Sequence, residues 1–148
     1  MKKRIAIGAI IKYNSKFLLV KKTAEHDVKS SEFHPYIDFL KGGVKEGESL
    51  TQALKRELKE EINATEDIYD IIACVEEPLI FKFKNSSKYD EQETWFFIIQ
   101  LHDCIELDAN PDEVGEIYLV DYETMLNSLE FKETKDFIIK NSSKYGLK

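Results

Sequence analysis

Only two cysteines, Cys74 and Cys104, occur in the 148 residues, and they form neither a metal-ligand nor a redox spacing. A disulfide framework or a thiolate zinc site is therefore excluded, and both read as reduced core thiols of a cytoplasmic protein. Long apolar runs are also missing. The longest late one, Trp95 to Ile99, is far too short to span a bilayer. Met1 to Lys12 begins like a leader, with three basic residues ahead of Ile5 to Ile11, but the apolar stretch is short and no small-residue cleavage site follows, so a first strand is expected there. Excess positive charge is lacking as well. At a net charge of -7 the chain has no electrostatic basis for general binding to a nucleic-acid backbone, and polymeric nucleic acid is not an expected partner. A small phosphorylated ligand remains compatible, provided divalent cations stand between protein carboxylates and phosphate oxygens.

What is present is a composition of 43% hydrophobic and 33% charged residues, which suits one globular domain over residues 1–148. Ile5, Ile7, Ala9 and Ile11 alternate, Asn14-Ser15 breaks the run, and Phe17 to Val20 follows, the pattern of a hairpin. Thr23 to Pro35 is a long polar connection containing His26 and His34, both read as solvated loop residues. Short strands are predicted at Tyr36 to Leu40, Ile68 to Val75, Leu79 to Phe83, Thr94 to Leu101 and Glu116 to Val120. Helical spacing returns at Tyr122 to Leu129 and Lys132 to Lys140, and the tail from Asn141 is expected to fray.

The most informative stretch is GGVKEGESLTQALKRELKEEINA, residues 42 to 64. Ser49 with Gln52 forms a capping-box pattern that starts a helix, and Asn63 is suited to the left-handed conformation that ends one. A helix of this composition ordinarily exposes its acidic residues. Here, at about 100° per residue, Leu50, Ala53, Leu54 and Leu58 share one arc with Glu57 and Glu61, whereas Gln52, Lys55 and Lys59 lie opposite. Ionised carboxylates on a core-facing stripe each cost several kcal/mol unless a positive group compensates them. Arg56 stands four residues before Glu60 and can pair with it, but one guanidinium cannot neutralise the cluster. Mg²⁺ or Mn²⁺ is the cation class that carboxylate oxygens favour. Lys41-Gly42-Gly43, just ahead, allows close backbone approach and offers a carbonyl oxygen.

These residues resemble the Nudix box, G-x5-E-x7-R-E-U-x-E-E-x-G-U with U a bulky aliphatic. Gly42, Glu48, Arg56, Glu57, Leu58, Glu60 and Glu61 stand in register, while Asn63 replaces the last glycine and Ala64 the final aliphatic residue. The resemblance implies an α/β fold, a Nudix-type α/β/α sandwich around a mixed central β-sheet. It also implies Mg²⁺-dependent hydrolysis of a nucleoside diphosphate linked to another group, by attack of water on phosphorus. Glu57, Glu60, Glu61 and the Gly42 carbonyl would hold the metal, Arg56 would orient the carboxylates, and Glu48 would act behind it. Glu57 or Glu113 would serve as base, with Glu116 in reserve. Lys41 is the expected phosphate contact, and Trp95 and Phe97, on one face of a strand, or Tyr36, would stack the nucleobase. Tyr36 to Val44, Asp112-Glu113-Val114 and Phe131 to Lys135 are similar to segments of the diadenosine-tetraphosphate hydrolase branch. A dinucleoside polyphosphate is thus favoured over a nucleoside triphosphate, and a catalytically silent nucleotide-binding domain is the rival.

Overall fold

A computed structural model describes residues 2–24, 33–83, 89–104, 106–112 and 114–148. His26 and Glu113 lie outside the described residues. Strands β1 (Lys3–Tyr13) and β2 (Lys16–Lys22) form the expected hairpin, turned by Asn14 in the left-handed region at φ 57°. Next come β3 (Tyr36–Asp38), β4 (Leu40–Gly43) and helix α1 (Leu50–Ile62). A single 3-10 turn at Glu66–Ile68 leads to β5 (Tyr69–Cys74), and β6 (Leu79–Lys82), β7 (Glu91–Leu101) and β8 (Val114–Val120) complete the strands. Helices α2 (Tyr122–Ser128) and α3 (Lys132–Asn141) follow.

Among the described residues eight strands make one mixed sheet. Its backbone is the parallel ladder between β1 and β7, running from Lys3 opposite Glu91 to Lys12 opposite Gln100. β7 therefore begins before Thr94. Its polar start at Glu91 to Glu93 has no hydrophobic signature, and its pairing with β1 and with β6 holds it extended. Among the described residues the other pairings are antiparallel: β2 and β4 pair with β1 on one side, β3 and β8 pair with β2, and β5 and β6 pair with β7 on the other side.

Because side chains alternate along each strand, β1 feeds two cores. Ile7, Ala9 and Ile11 join Leu18, Val20, Leu40 and the α1 residues Leu54, Leu58 and Ile62 in one cluster. Ile10, Phe17, Leu19, Phe39, Phe96 and Ile98 pack against Met125, Phe137 and Ile138 of α2 and α3 in the other. The sheet thus has an α1 face and an α2–α3 face, the layered sandwich the sequence predicts. The tail differs from its expected frayed state. Ser142 and Leu147 are buried, Lys12 Nζ donates to the Gly146 carbonyl at 3.0 Å, and Tyr145 Oη accepts from the Glu76 amide at 3.0 Å. Leu147 supplies apolar surface to the α2–α3 cluster, which a short polar-looking tail gave little reason to expect.

Candidate functional site

Helix α1 begins where predicted for a local reason. Ser49 Oγ accepts from the Gln52 amide at 3.1 Å, and Gln52 Oε1 accepts from the Ser49 amide at 2.8 Å, so two orphan donors of the first turn are satisfied. It ends at Asn63, at φ 57° and ψ 34°, whose amide donates to the Lys59 carbonyl at 3.1 Å while the Ala64 amide donates to that of Leu58 at 3.0 Å. The asparagine also uses its side chain: Nδ2 donates to the Glu106 carbonyl at 3.0 Å and Oδ1 accepts from Lys59 Nζ at 2.7 Å. A glycine could make neither bond.

Between these caps the helix buries Ala53, Leu54, Leu58 and Ile62, and with them Glu57 and Glu61. Glu57 is 7% exposed and Glu61 1%. Both acidic residues thus lie on the stripe that packs against the sheet. Glu60, with 52% of its side chain exposed, faces outward.

Arg56 organises the open end of this cluster. Its Nε and Nη2 donate to the two oxygens of Glu48 at 2.8 and 2.9 Å, a bidentate pair. Nη1 reaches Glu57 Oε1 at 2.7 Å and Glu60 Oε2 at 3.3 Å, and Nη2 also donates to the Gly43 carbonyl at 2.9 Å. The guanidinium is therefore the hub that ties the approach turn to the helix. Its hydrogen bonds hold the Glu48 carboxyl down at about 2, with the Lys45 amide adding a second donor, and Glu48 in return raises the arginine above its usual range.

Gly42 and Gly43 pair with Ile7 and Ala6 of β1, and their side-chain directions diverge. A β-carbon on Gly42 would lie 2.1 Å from Glu57 Cδ, so only glycine lets this carboxylate lie against the strand. One on Gly43 would point the other way, 2.8 Å from Arg4 Nη2. The carbonyl engaged by Arg56 is that of Gly43, one residue beyond the Gly42 carbonyl singled out from the sequence.

Lys22, at the end of β2, joins the site without having stood out in the sequence. Its Nζ lies 3.2 Å from Glu61 Oε1, and its side chain is 18% exposed. The available signal is parity: Leu18 and Val20 enter the α1 cluster, and the next residue of that phase is Lys22.

Several expected contacts fall elsewhere. Lys41 stands opposite Gly8 on the α2–α3 face, with Nζ 2.8 Å from Asp38 Oδ2 and 5.6 Å from the centre of the Phe96 ring. It is held away from the α1 carboxylates because it is the strand neighbour of Gly42, and successive residues of a strand point to opposite faces. Glu116 shares its phase with Tyr118 and Val120 on that same far face, and its carboxylate accepts from Tyr118 Oη at 2.6 Å. Phe97 is 6% exposed within the α1 cluster and is core, so it cannot offer a ring face to a base. Trp95 is half-buried in register with Ile7, the same residue that Gly42 faces, and its Nε1 donates to Glu93 Oε2 at 3.0 Å. Tyr36 packs edge-on to Phe131 at 5.1 Å, and Phe131 edge-on to Phe81 at 5.5 Å, an aromatic row from β3 to β6.

The donor set has the chemistry a hard divalent cation needs. It consists of Glu57 and Glu61, brought inward by the helix, with Glu48 and Glu60 beside them, and among the described residues Arg56 and Lys22 pair with these acids. Among the described residues no three Asp, Glu, His or Cys side chains are gathered into a metal shell, and Arg56 and Lys22 occupy carboxylate oxygens instead.

Comparison with known proteins agrees with this architecture. The chain superposes on an Ap4A hydrolase of C. elegans, from a binary complex, with a TM-score of 0.76 at 20% identity over 99% of this chain and 98% of that one. A MutT protein of Methanosarcina mazei Go1 gives 0.71 at 20% identity, covering 97% and 96% of the two chains. The dihydroneopterin triphosphate pyrophosphohydrolase of E. coli gives 0.70 at 16%, covering 92% of each. In sequence, an RNA pyrophosphohydrolase of a Nitratiruptor species is 34% identical over 100 residues, which span 63% of this chain and 63% of that protein. The model of the NUDIX domain matches residues 2–140, nearly the whole chain, which therefore belongs to the Nudix family.

Proposed function

We propose that this protein is a divalent-cation-dependent pyrophosphohydrolase that cleaves a nucleoside diphosphate linked to another group, with a dinucleoside polyphosphate as the favoured substrate. One observation carries the reading: Glu57 and Glu61 are buried on the sheet-facing side of α1, where ionised carboxylates need positive partners, a need that Arg56 and Lys22 meet in the cation-free protein and that a divalent cation would meet when bound. Glu57, Glu60 and Glu61, with the Gly42 carbonyl, are the residues that would hold Mg²⁺ or Mn²⁺. When bound, such an ion offsets diphosphate charge and makes a water more acidic. Arg56 fixes the orientation of Glu57 and Glu60, and Glu48 fixes Arg56. Glu57, against the strand at Gly42, is the described candidate for accepting the proton of the attacking water, and Glu113 is its rival. A nucleobase could stack on Trp95, on the α1 face, or on the aromatic row of Tyr36 and Phe131.

A second reading is removal of diphosphate from the 5′ end of RNA, favoured by the 34% identical relative. The net charge of -7 weighs against extended contact with a phosphate backbone, so such a substrate would be held at its terminal nucleotides. A nucleoside triphosphate is the small-molecule alternative. The deciding experiment measures phosphate and nucleotide products from diadenosine tetraphosphate, nucleoside triphosphates and 5′-triphosphorylated RNA, with Mg²⁺ and with chelator. Metal-dependent turnover of the dinucleotide above the others is expected. Absence of turnover on every substrate, with nucleotide still bound, would make the chain a silent binding domain.

A further inference from the structure

We infer that Lys22 is a built-in placeholder for the metal, its ammonium holding Glu61 in the cation-free protein and leaving when a divalent cation arrives. The inference rests on the proposed metal role of Glu61 and adds a residue that the glutamate-rich motif does not contain.

Glu61 is 1% exposed, so its carboxylate has given up nearly all contact with water. A carboxylate in that position needs a positive neighbour in every state of the protein, not only when metal is present. Lys22 meets this need at 3.2 Å. The strand is shaped to bring it there. Leu18 and Val20 point into the α1 cluster, and Lys22 continues that phase at the point where the register of β2 against β8 shifts, so that Lys22 faces Val114. The helix side is equally fixed, since the Glu61 carbonyl accepts from the Asn110 amide at 2.9 Å and ties this turn of α1 to the segment before β8. An ammonium suits a reversible role better than a guanidinium would: it is a single point charge on a flexible stem and can withdraw without breaking a bidentate pair. Arg56, which holds Glu48 through two bonds, is built for permanence.

A placeholder competes with what it replaces. Removing its charge while keeping its stem should therefore tighten metal binding, whereas a lysine that positions Glu61 for the metal would have the reverse effect. The test is Mn²⁺ binding to the full chain, measured by the paramagnetic resonance signal of free Mn²⁺, for wild type, Lys22→Met and Lys22→Arg, with melting of each cation-free protein. For Lys22→Met the placeholder role requires about tenfold tighter Mn²⁺ binding, an opposing charge at contact distance being worth on the order of one such factor. It also requires a lower cation-free melting temperature that Mn²⁺ restores. Lys22→Arg should bind no tighter than wild type. Equal or weaker Mn²⁺ binding by Lys22→Met overturns the inference while leaving the functional reading intact. Failure of the wild type to bind Mn²⁺ removes both.

A second measurement needs no variant to fold well. In the wild type, the Nζ–H resonances of a paired, part-buried lysine persist in nitrogen-correlated spectra, and one such signal, absent in Lys22→Arg, should vanish into solvent exchange as Mg²⁺ is added. A signal that persists unchanged at saturating Mg²⁺ overturns the proposal.

Discussion

Gly42 and Glu57 occupy space that a single added carbon would contest: a β-carbon on residue 42 would lie 2.1 Å from Glu57 Cδ and 2.4 Å from its Oε1. The atoms in conflict are the far end of a flexible side chain, so the cost of a methyl group falls on the position of the carboxylate more than on the fold. Gly42→Ala should fold, with a stability loss of about 1–3 kcal/mol by urea titration. Its turnover should fall about 100-fold, the penalty of moving a reacting group by an ångström. A fully active Gly42→Ala would show that the position of Glu57 against the strand is immaterial to the reaction.

The pairing of Glu48 with Arg56 predicts a signature in acid. The folded-state value of Glu48 lies at about 2, below its ordinary 4.5, chiefly because Arg56 donates to both oxygens. A depressed carboxylate favours the folded state fully above its unfolded value and loses that contribution as pH falls through the folded one. The loss from this pair should therefore run from about pH 4.5 down to about pH 2. Melting temperatures over that interval should fall less steeply in Glu48→Gln than in wild type, while at pH 7 the variant is the less stable of the two. Parallel curves for the two proteins would mean that the carboxylate does not titrate as a partner of Arg56.

Asn63 illustrates what the sequence makes legible and what it does not. Its left-handed conformation, the two caps of α1, and the burial of Glu57 and Glu61 follow from spacing within one helix, where sequence neighbours are spatial neighbours. Alternation likewise makes the β1–β2 hairpin readable. The Lys22–Glu61 pair joins residues 39 apart and depends on which phase of β2 faces α1, which the helix alone cannot reveal. The placement of Lys41 and Glu116 on the α2–α3 face is set the same way, since a shift of one residue in strand phase exchanges the two faces of the sheet. The tail is harder still: Leu147 is buried in the α2–α3 cluster, whose members come from distant strands and helices, and nothing local in its sequence announces those partners.

The same asparagine predicts a graded series. Left-handed geometry costs most L residues about 1–2 kcal/mol, whereas glycine adopts it freely and asparagine with little penalty. Asn63→Ala should lose about 1–2 kcal/mol in urea unfolding for this conformational cost alone. The lost bonds to Glu106 and Lys59 add to it. Asn63→Gly keeps the turn and loses only the side-chain bonds, each worth on the order of 1 kcal/mol, so it should fall between wild type and the alanine variant. Metal-dependent turnover, normalised to folded protein, should be unchanged in both. An alanine variant as stable as wild type would contradict the left-handed cap.

Trp95 and Phe97 sit on one face of β7 two residues apart, and the structure gives them different work. Phe97 is 6% exposed among Ile99, Leu54 and Leu58, so Phe97→Ala should cost about 3–5 kcal/mol of stability through the cavity it leaves. Trp95 lies in the row that runs through Ile7 to Gly42, on the same face as the α1 carboxylates and two strand spacings from the glycine, or about 10 Å. That separation suits a base attached through a ribose to a diphosphate held near Glu57. Trp95→Leu should therefore raise KM for a nucleotide substrate several-fold with kcat little changed, since stacking a base contributes about 1–3 kcal/mol to binding. Because Trp95 is the only tryptophan in the chain, its fluorescence reports the same event directly. Quenching that saturates with added Mg²⁺–nucleotide is expected in the wild type. If fluorescence and KM are both indifferent to residue 95, the base belongs instead on the row of Tyr36 and Phe131, where Phe131→Ala should then carry the KM effect.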